Sequence, residues 1–221
     1  MRRHPYRAVI FDLDGVLTDT AHYHYLAWKQ LANSLGCHFD ATFNEQLKGV
    51  DRMGSLELIL AAAGKSCSEQ EKLALAEQKN RHYQQLIAVM QPADLLPGAA
   101  DALQAVRAAG LKTALASVSK NASAVLQMLG ITSLFDIVVD AAGIRNSKPD
   151  PEIFLAAAAQ LQLAPQDCLG VEDSIAGIRA IKSAGMFALG IGKAIILTEA
   201  DVVISGLDHF NLHDYWQAAP G

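Results

Sequence analysis

The chain has 221 residues, 51% of them hydrophobic and 19% charged, enough to bury a full core as one domain or as a core with a small insert. A net charge of −5 argues against a nucleic-acid binder, which needs a basic face to displace counterions. Asp12 and Asp14 interrupt the first apolar run, which excludes a secretory leader or a membrane span there, and three scattered cysteines (Cys37, Cys67, Cys168) make no zinc or disulfide pattern, so the expectation is a cytoplasmic protein with reduced thiols. A monomer is expected, though nothing in these residues sets the oligomeric state.

The first apolar run, Ala8-Val9-Ile10-Phe11, stops at Asp12. A different rhythm follows, with helices predicted over 20–35, closed by Gly36, over 53–63, closed by Gly64, and over 69–90. The third starts after Ser68, and Glu71 completes a capping box. No strand is expected in this stretch, and residues 92–97 read as a return linker. Beyond it, helices predicted over 99–109, 122–129, 151–161 and 175–184 alternate with apolar runs over 111–116, 135–139, 168–171, 187–191 and 202–204. These runs do not alternate with polar residues, as expected of strands buried on both faces of a parallel sheet. The expected fold is α/β: a doubly wound, Rossmann-like parallel sheet formed by residues 1–17 and 95–221, with an inserted α-helical cap domain over 18–94.

Four polar clusters each follow an apolar run. Asp12 and Asp14 sit two apart where the first strand ends, and in an open α/β sheet ligands bind beyond the carboxyl ends of the strands. One carboxylate can ligate a hard cation and attack phosphorus, while the other carries a proton. Ser117-Val118-Ser119-Lys120-Asn121 offers hydroxyls and backbone amides suited to a phosphate. Lys148 lies in Asn146-Ser147-Lys148-Pro149-Asp150, and Glu172-Asp173 closes the run at 168–171. Alone, each cluster is explained by helix capping or by acids at a helix start. Four of them in one chain order are not. Gly190-Ile191-Gly192-Lys193 lacks the spacing of a phosphate loop and reads as a strand end and turn.

These residues resemble the haloacid dehalogenase superfamily of phosphotransferases over essentially the whole chain. The resemblance implies that Asp12 is the nucleophile that becomes phosphorylated and Asp14 the general acid and base. Ser117, Val118 and Lys148 would hold the phosphoryl group, and Asp12, the Asp14 carbonyl, Glu172 and Asp173 a Mg2+ ion. Within the family, the insert is similar to that of sugar-phosphate mutases. Thr18-Asp19-Thr20-Ala21-His22-Tyr23-His24, then Ala27-Trp28, places Thr20, His24 and Trp28 on one helix face. By the resemblance, the segment Phe43 to Arg52, with Lys48, Gly49, Val50 and Arg52, contacts the sugar, and Arg52 grips the phosphate not being transferred. Lys79 would face the sugar beside Asn80 and Tyr83, and Ser119, Lys120 and Asn121 would be the core-side partners of Arg52. The implied reaction interconverts β-glucose 1-phosphate and glucose 6-phosphate, with Thr20 and His24 coupling closure of the insert to Asp14. Small sugar phosphates are then the ligands, with no nucleic acid and no membrane. A sugar-phosphate phosphatase of the same family is the alternative. A catalytically idle binding module is a weaker one, because the acids and Lys148 are all present.

Overall fold

The computed structural model describes residues 6–47, 50 and 52–215. They fall into two compact units, one made of the residues up to Asp19 and from Gln91 onward, the other of Thr20–Met90.

The first unit is built on a six-stranded parallel sheet. Its elements in chain order are β1 (Ala8–Phe11), α5 (Ala99–Ala108), β2 (Lys112–Leu115), α6 (Ala122–Met128), β3 (Ile137–Val138), α7 (Glu152–Gln160), β4 (Cys168–Glu172), α8 (Ile175–Ser183), β5 (Phe187–Ile191), β6 (Val202–Ile204) and α9 (Leu212–Tyr215); α1–α4 belong to the second unit. The strand order is β3-β2-β1-β4-β5-β6, every pair parallel. Chain order therefore reverses on either side of β1, the place where α/β sheets open a crevice for ligands. All four β1 side chains are fully buried, which is why that run has no polar face. Phe154 and Ile153 of α7 and Ile178 and Ile181 of α8 pack in one cluster with Ile10 and Ala114. Truncating Phe154 to alanine would cost about 3–5 kcal/mol.

The apolar run at 135–139 gives a strand of only two residues, Ile137–Val138. It pairs with β2 alone and is half-buried, so an edge position shortens what uniform apolarity had suggested. The chain leaves and re-enters this unit side by side. Thr18 bridges to Leu95, the Leu96 amide donates to the Leu17 carbonyl at 2.9 Å, and the buried Thr18 hydroxyl donates to the Asp94 carbonyl at 2.8 Å.

The second unit is helical: α1 (Ala21–Ser34), α2 (Ala41–Glu45), α3 (Arg52–Ala62) and α4 (Glu69–Ile87). Its core joins Trp28 and Leu31 of α1, Leu56 and Ile59 of α3, and Ala76 of α4. The Ser68–Glu71 capping box is present, whereas α4 stops at Ile87 rather than at 90. The sequence reading missed α2. Five residues carry no helical period, and its start is set locally, by Asp40 accepting the Phe43 amide at 2.8 Å. The segment from Phe43 expected to contact the sugar thus begins inside a helix. No helix among the described residues is long and apolar enough to cross a membrane.

Candidate active site

Asp12 is the first residue past β1, and its amide still donates to the Val171 carbonyl of β4 at 3.0 Å. That bond fixes the carboxylate beside the end of β4, where Glu172 is the last strand residue and Asp173 the next. Carboxylate oxygens of Asp12, Glu172 and Asp173 lie within 4.8 Å of one another. Lys148 enters from the segment before α7, and its Nζ stands 2.7 Å from Asp12 Oδ1 and 2.7 Å from Glu172 Oε1. The other Glu172 oxygen accepts the Ser174 amide at 2.8 Å and the Ser174 hydroxyl at 2.9 Å. The Ser174 oxygen in turn caps α8 by accepting the Gly177 amide.

Burial sets the electrostatics. It raises the Asp12 carboxyl to about 7, against the lowering pull of Lys148, and Glu172 and Asp14 repel it further upward. Desolvation of the carboxyl, then the Glu172 and Asp14 charges, also push up Asp173 against the pull of Lys148, although part of the residue's surface meets solvent at the rim. For Lys148, burial works against the charge, but Asp12 and Glu172 outweigh it and hold the ammonium above its ordinary value. Fully ionised, the three carboxylates against one ammonium carry two excess negative charges in a confined site, which is why Asp12 and Asp173 hold their protons longer than free carboxyls. That donor set fits a hard divalent cation.

Asp14 lies on the turn after Asp12 and is electrostatically coupled to both Asp12 and Asp173. The turn needs Gly15, whose φ is +75° and where a Cβ would collide with the Asp173 carboxylate. Ser117 is buried beyond β2 and accepts the Ser119 amide at 3.2 Å, and the Ser119 hydroxyl accepts the Asn121 amide at 3.3 Å. Val118 and Lys120 are exposed and Asn121 is buried.

The helical unit holds a second cluster. Lys79 of α4 is only 4% exposed, and its Nζ lies 2.8 Å from Nδ1 of His24. The ammonium also stands 4.8 Å from the Trp28 ring centroid and 4.9 Å from that of Tyr83. The His24 and Tyr83 rings stack at 4.1 Å. Burial, with Arg52 repelling, brings Lys79 down to about 7. Burial, then Lys79 and Arg52, brings His24 down to about 3, so the imidazole is neutral and accepts at Nδ1. Arg52 donates to Asn80 Oδ1 at 3.1 Å. Thr20 is buried at the start of α1 and Val50 is exposed, whereas Lys48 and Gly49 lie outside the described residues.

The sequence reading passed over Ser174 and Gly177 as supports of Glu172. The signal was there in a serine three residues before a glycine at a helix start, a common cap; what it could not show is that a Cβ at Gly177 would collide with the Glu172 carboxylate.

The family model for haloacid dehalogenase-like hydrolases matches residues 6–185. The chain belongs to that family. It is 47% identical over 216 residues to the β-phosphoglucomutase of Bacillus subtilis, covering 96% of both chains. It is 31% identical to a phosphorylated carbohydrates phosphatase of Thermotoga maritima, covering 93% of this chain and 97% of the relative. A crystal structure of β-phosphoglucomutase from Clostridium difficile superposes with a TM-score of 0.88 at 46% identity, covering 95% of each chain.

Proposed function

We propose that the chain is a β-phosphoglucomutase, an isomerase interconverting β-D-glucose 1-phosphate and D-glucose 6-phosphate. Full-length similarity to a mutase, at a level well above that to the phosphatases, carries the reading. The cluster around Asp12 supports the chemistry, because a carboxylate held beside an ammonium and two further acids is equipped to accept and release a phosphoryl group.

In this reading phosphorylated Asp12 passes its phosphoryl group to the 6-hydroxyl of β-glucose 1-phosphate, and Asp14 takes the hydroxyl proton. The resulting β-glucose 1,6-bisphosphate turns round and transfers its other phosphoryl group to Asp12. Asp14 returns the proton to the oxygen that leaves. Lys148 offsets charge on the group in transit, and Ser117 and the backbone at Val118 hold its oxygens. We assign magnesium to Asp12, the Asp14 carbonyl, Glu172 and Asp173; bound there, it supplies further charge neutralisation. Recognition of the sugar and its second phosphate is assigned to Thr20, His24, Trp28, Lys48, Gly49, Val50, Arg52, Lys79, Ser119, Lys120 and Asn121. We place the enzyme in the cytoplasm as a monomer.

The test is a coupled assay with β-glucose 1-phosphate, magnesium and a trace of glucose 1,6-bisphosphate, with free phosphate followed in parallel. Glucose 6-phosphate with little free phosphate is the expected result. Free phosphate without glucose 6-phosphate would make the chain a phosphatase, the reading that the Thermotoga relative favours.

A further inference from the structure

Lys148 reaches the carboxylates from a segment that belongs to no strand or helix. Residues 144–151 run from a short turn, Ala141–Gly143, to the start of α7. Inside it the Asp150 amide donates to the Ser147 carbonyl at 3.1 Å. The remaining anchor comes from outside. The side chain of Glu152, the first residue of α7, reaches back along the chain. Its Oε1 accepts the Arg145 amide at 3.0 Å and its Oε2 the Asn146 amide at 2.8 Å. Both oxygens of one carboxylate thus close a loop that contains Lys148.

An acid in the first turn of a helix ordinarily needs no further explanation, because it complements the helix dipole. Here the helix start is already served, since the Glu152 amide is capped by the Asp150 carboxylate at 3.0 Å. The Glu152 carboxylate spends its oxygens on two amides six and seven residues upstream instead. Those bonds, with the Arg145 charge, hold it ionised, below the usual glutamate range. α7 is itself fixed by the buried Ile153 and Phe154, and the Phe154 ring lies 5.1 Å from Lys148 Nζ. The helix therefore extends a single carboxylate, which fixes the backbone two and three residues before the lysine, while the lysine itself spans Asp12 and Glu172.

We propose that Glu152 is a positioning residue for phosphoryl transfer, holding the Lys148 segment so that the ammonium stands between Asp12 and Glu172. The proposal rests on the reading of Asp12 as the phosphorylated residue. It predicts sensitivity to reach as well as to charge. Glu152→Asp keeps the negative charge in the first turn but is one methylene too short for both amides. Glu152→Gln keeps the length but has a single acceptor oxygen.

The experiment uses the full chain and both variants, at a temperature far below their unfolding midpoints and normalised to folded protein. It measures kcat and KM for glucose 6-phosphate formation and the rate at which acetyl phosphate labels Asp12. Each variant should lose about 10- to 100-fold in kcat and in labelling rate, with KM little changed. Its thermal midpoint should stay within about 4 °C of wild type. Wild-type rates in both variants would overturn the proposal. So would recovery in Glu152→Asp alone, because that is the signature of a helix-dipole role. If the wild type is labelled but releases free phosphate instead of glucose 6-phosphate, the mutase reading fails, and the labelling rates still decide the role of Glu152.

Discussion

Lys148 in the α/β unit and Lys79 in the helical unit are both withdrawn from solvent, yet the two units treat the charge in opposite ways. Lys148 is flanked by two carboxylates at 2.7 Å, and its ammonium is held above the usual range. Lys79 has aromatic faces and a neutral imidazole around it, a guanidinium that repels it, and a pKa brought down to about 7. Burial disfavours charge in both places, so the difference comes from the partners alone. The α/β unit carries its own counter-charges and is ready to move a phosphoryl group. The helical unit carries a cationic deficit of partners, suited to a ligand that brings negative charge with it.

The largest effect should come from removing a carboxylate of the first cluster. Asp12→Asn should abolish labelling by acetyl phosphate and lower turnover by ~10⁴-fold or more, read in the coupled assay. Lys148→Met should lower kcat by ~10³-fold and leave Asp12 and Glu172 facing each other without a cation. Its stability should fall by about 3 kcal/mol in chelator and recover largely on adding magnesium, measured by denaturant unfolding. If magnesium makes no difference, the acids are not a cation site and the contrast with Lys79 loses its basis.

Gly177→Ala should displace the Glu172 carboxylate, because no room exists for a Cβ there. A drop of ~10-fold in magnesium affinity is expected by titration calorimetry. Lys79→Met gives the smallest effect and the opposite sign. It should stabilise the helical unit by about 1 kcal/mol, because a buried charge with no anionic partner among the described residues is removed, while KM for the sugar phosphate rises. The pH dependence follows. Lys79 titrates near 10.5 when unfolded and near 7 when folded, so between those values the unfolded chain holds more protons and stability rises with pH. Lys148 is shifted the other way, and its contribution is lost only above its unfolded value of 10.5. Asp12 and Asp173, raised to about 7, finish titrating at the lower edge of that window, and burial that pushes the Cys168 thiol up from 9.0 to about 12 makes stability fall from about pH 9. The rising slope around pH 8 therefore belongs to Lys79 and should flatten in Lys79→Met; an unchanged slope there would show that the aromatic enclosure does not shift it.

Both clusters were visible in the sequence to different depths. The acids of the α/β unit were legible because each follows an apolar run, and a parallel sheet brings the ends of such runs together. The central strands were legible for the same reason, since burial on both faces leaves an unbroken apolar record. β3 was overread because an edge strand of two residues carries the same letters as a buried one of five. The face shared by Thr20, His24 and Trp28 could be counted along a helix, but the enclosure of Lys79 could not. It needs Tyr83 and Lys79 of α4 packed against α1, and periodicity says nothing about which helices meet. Glu152 was invisible for a related reason: an acid at a helix start looks the same whether it serves its own helix or reaches upstream.

The paired strands of chain at the root of the insert have a consequence for modularity. Leu17 and Leu96 are hydrogen-bonded, and Thr18 holds both Asp94 and Leu95. The α/β unit therefore sees the 71-residue excursion Thr20–Met90 as a loop whose ends are already tied. Loop-closure entropy grows only slowly with length, so a short turn spliced between these ends would leave the sheet little changed in stability. Such a miniature protein should fold, bind the cation and accept a phosphoryl group on Asp12 while having lost its means of choosing a sugar. Lengthening or exchanging the excursion is equally cheap. A single reactive centre can thus be given new substrates by a change confined to one splice point, without rebuilding the sheet beneath it.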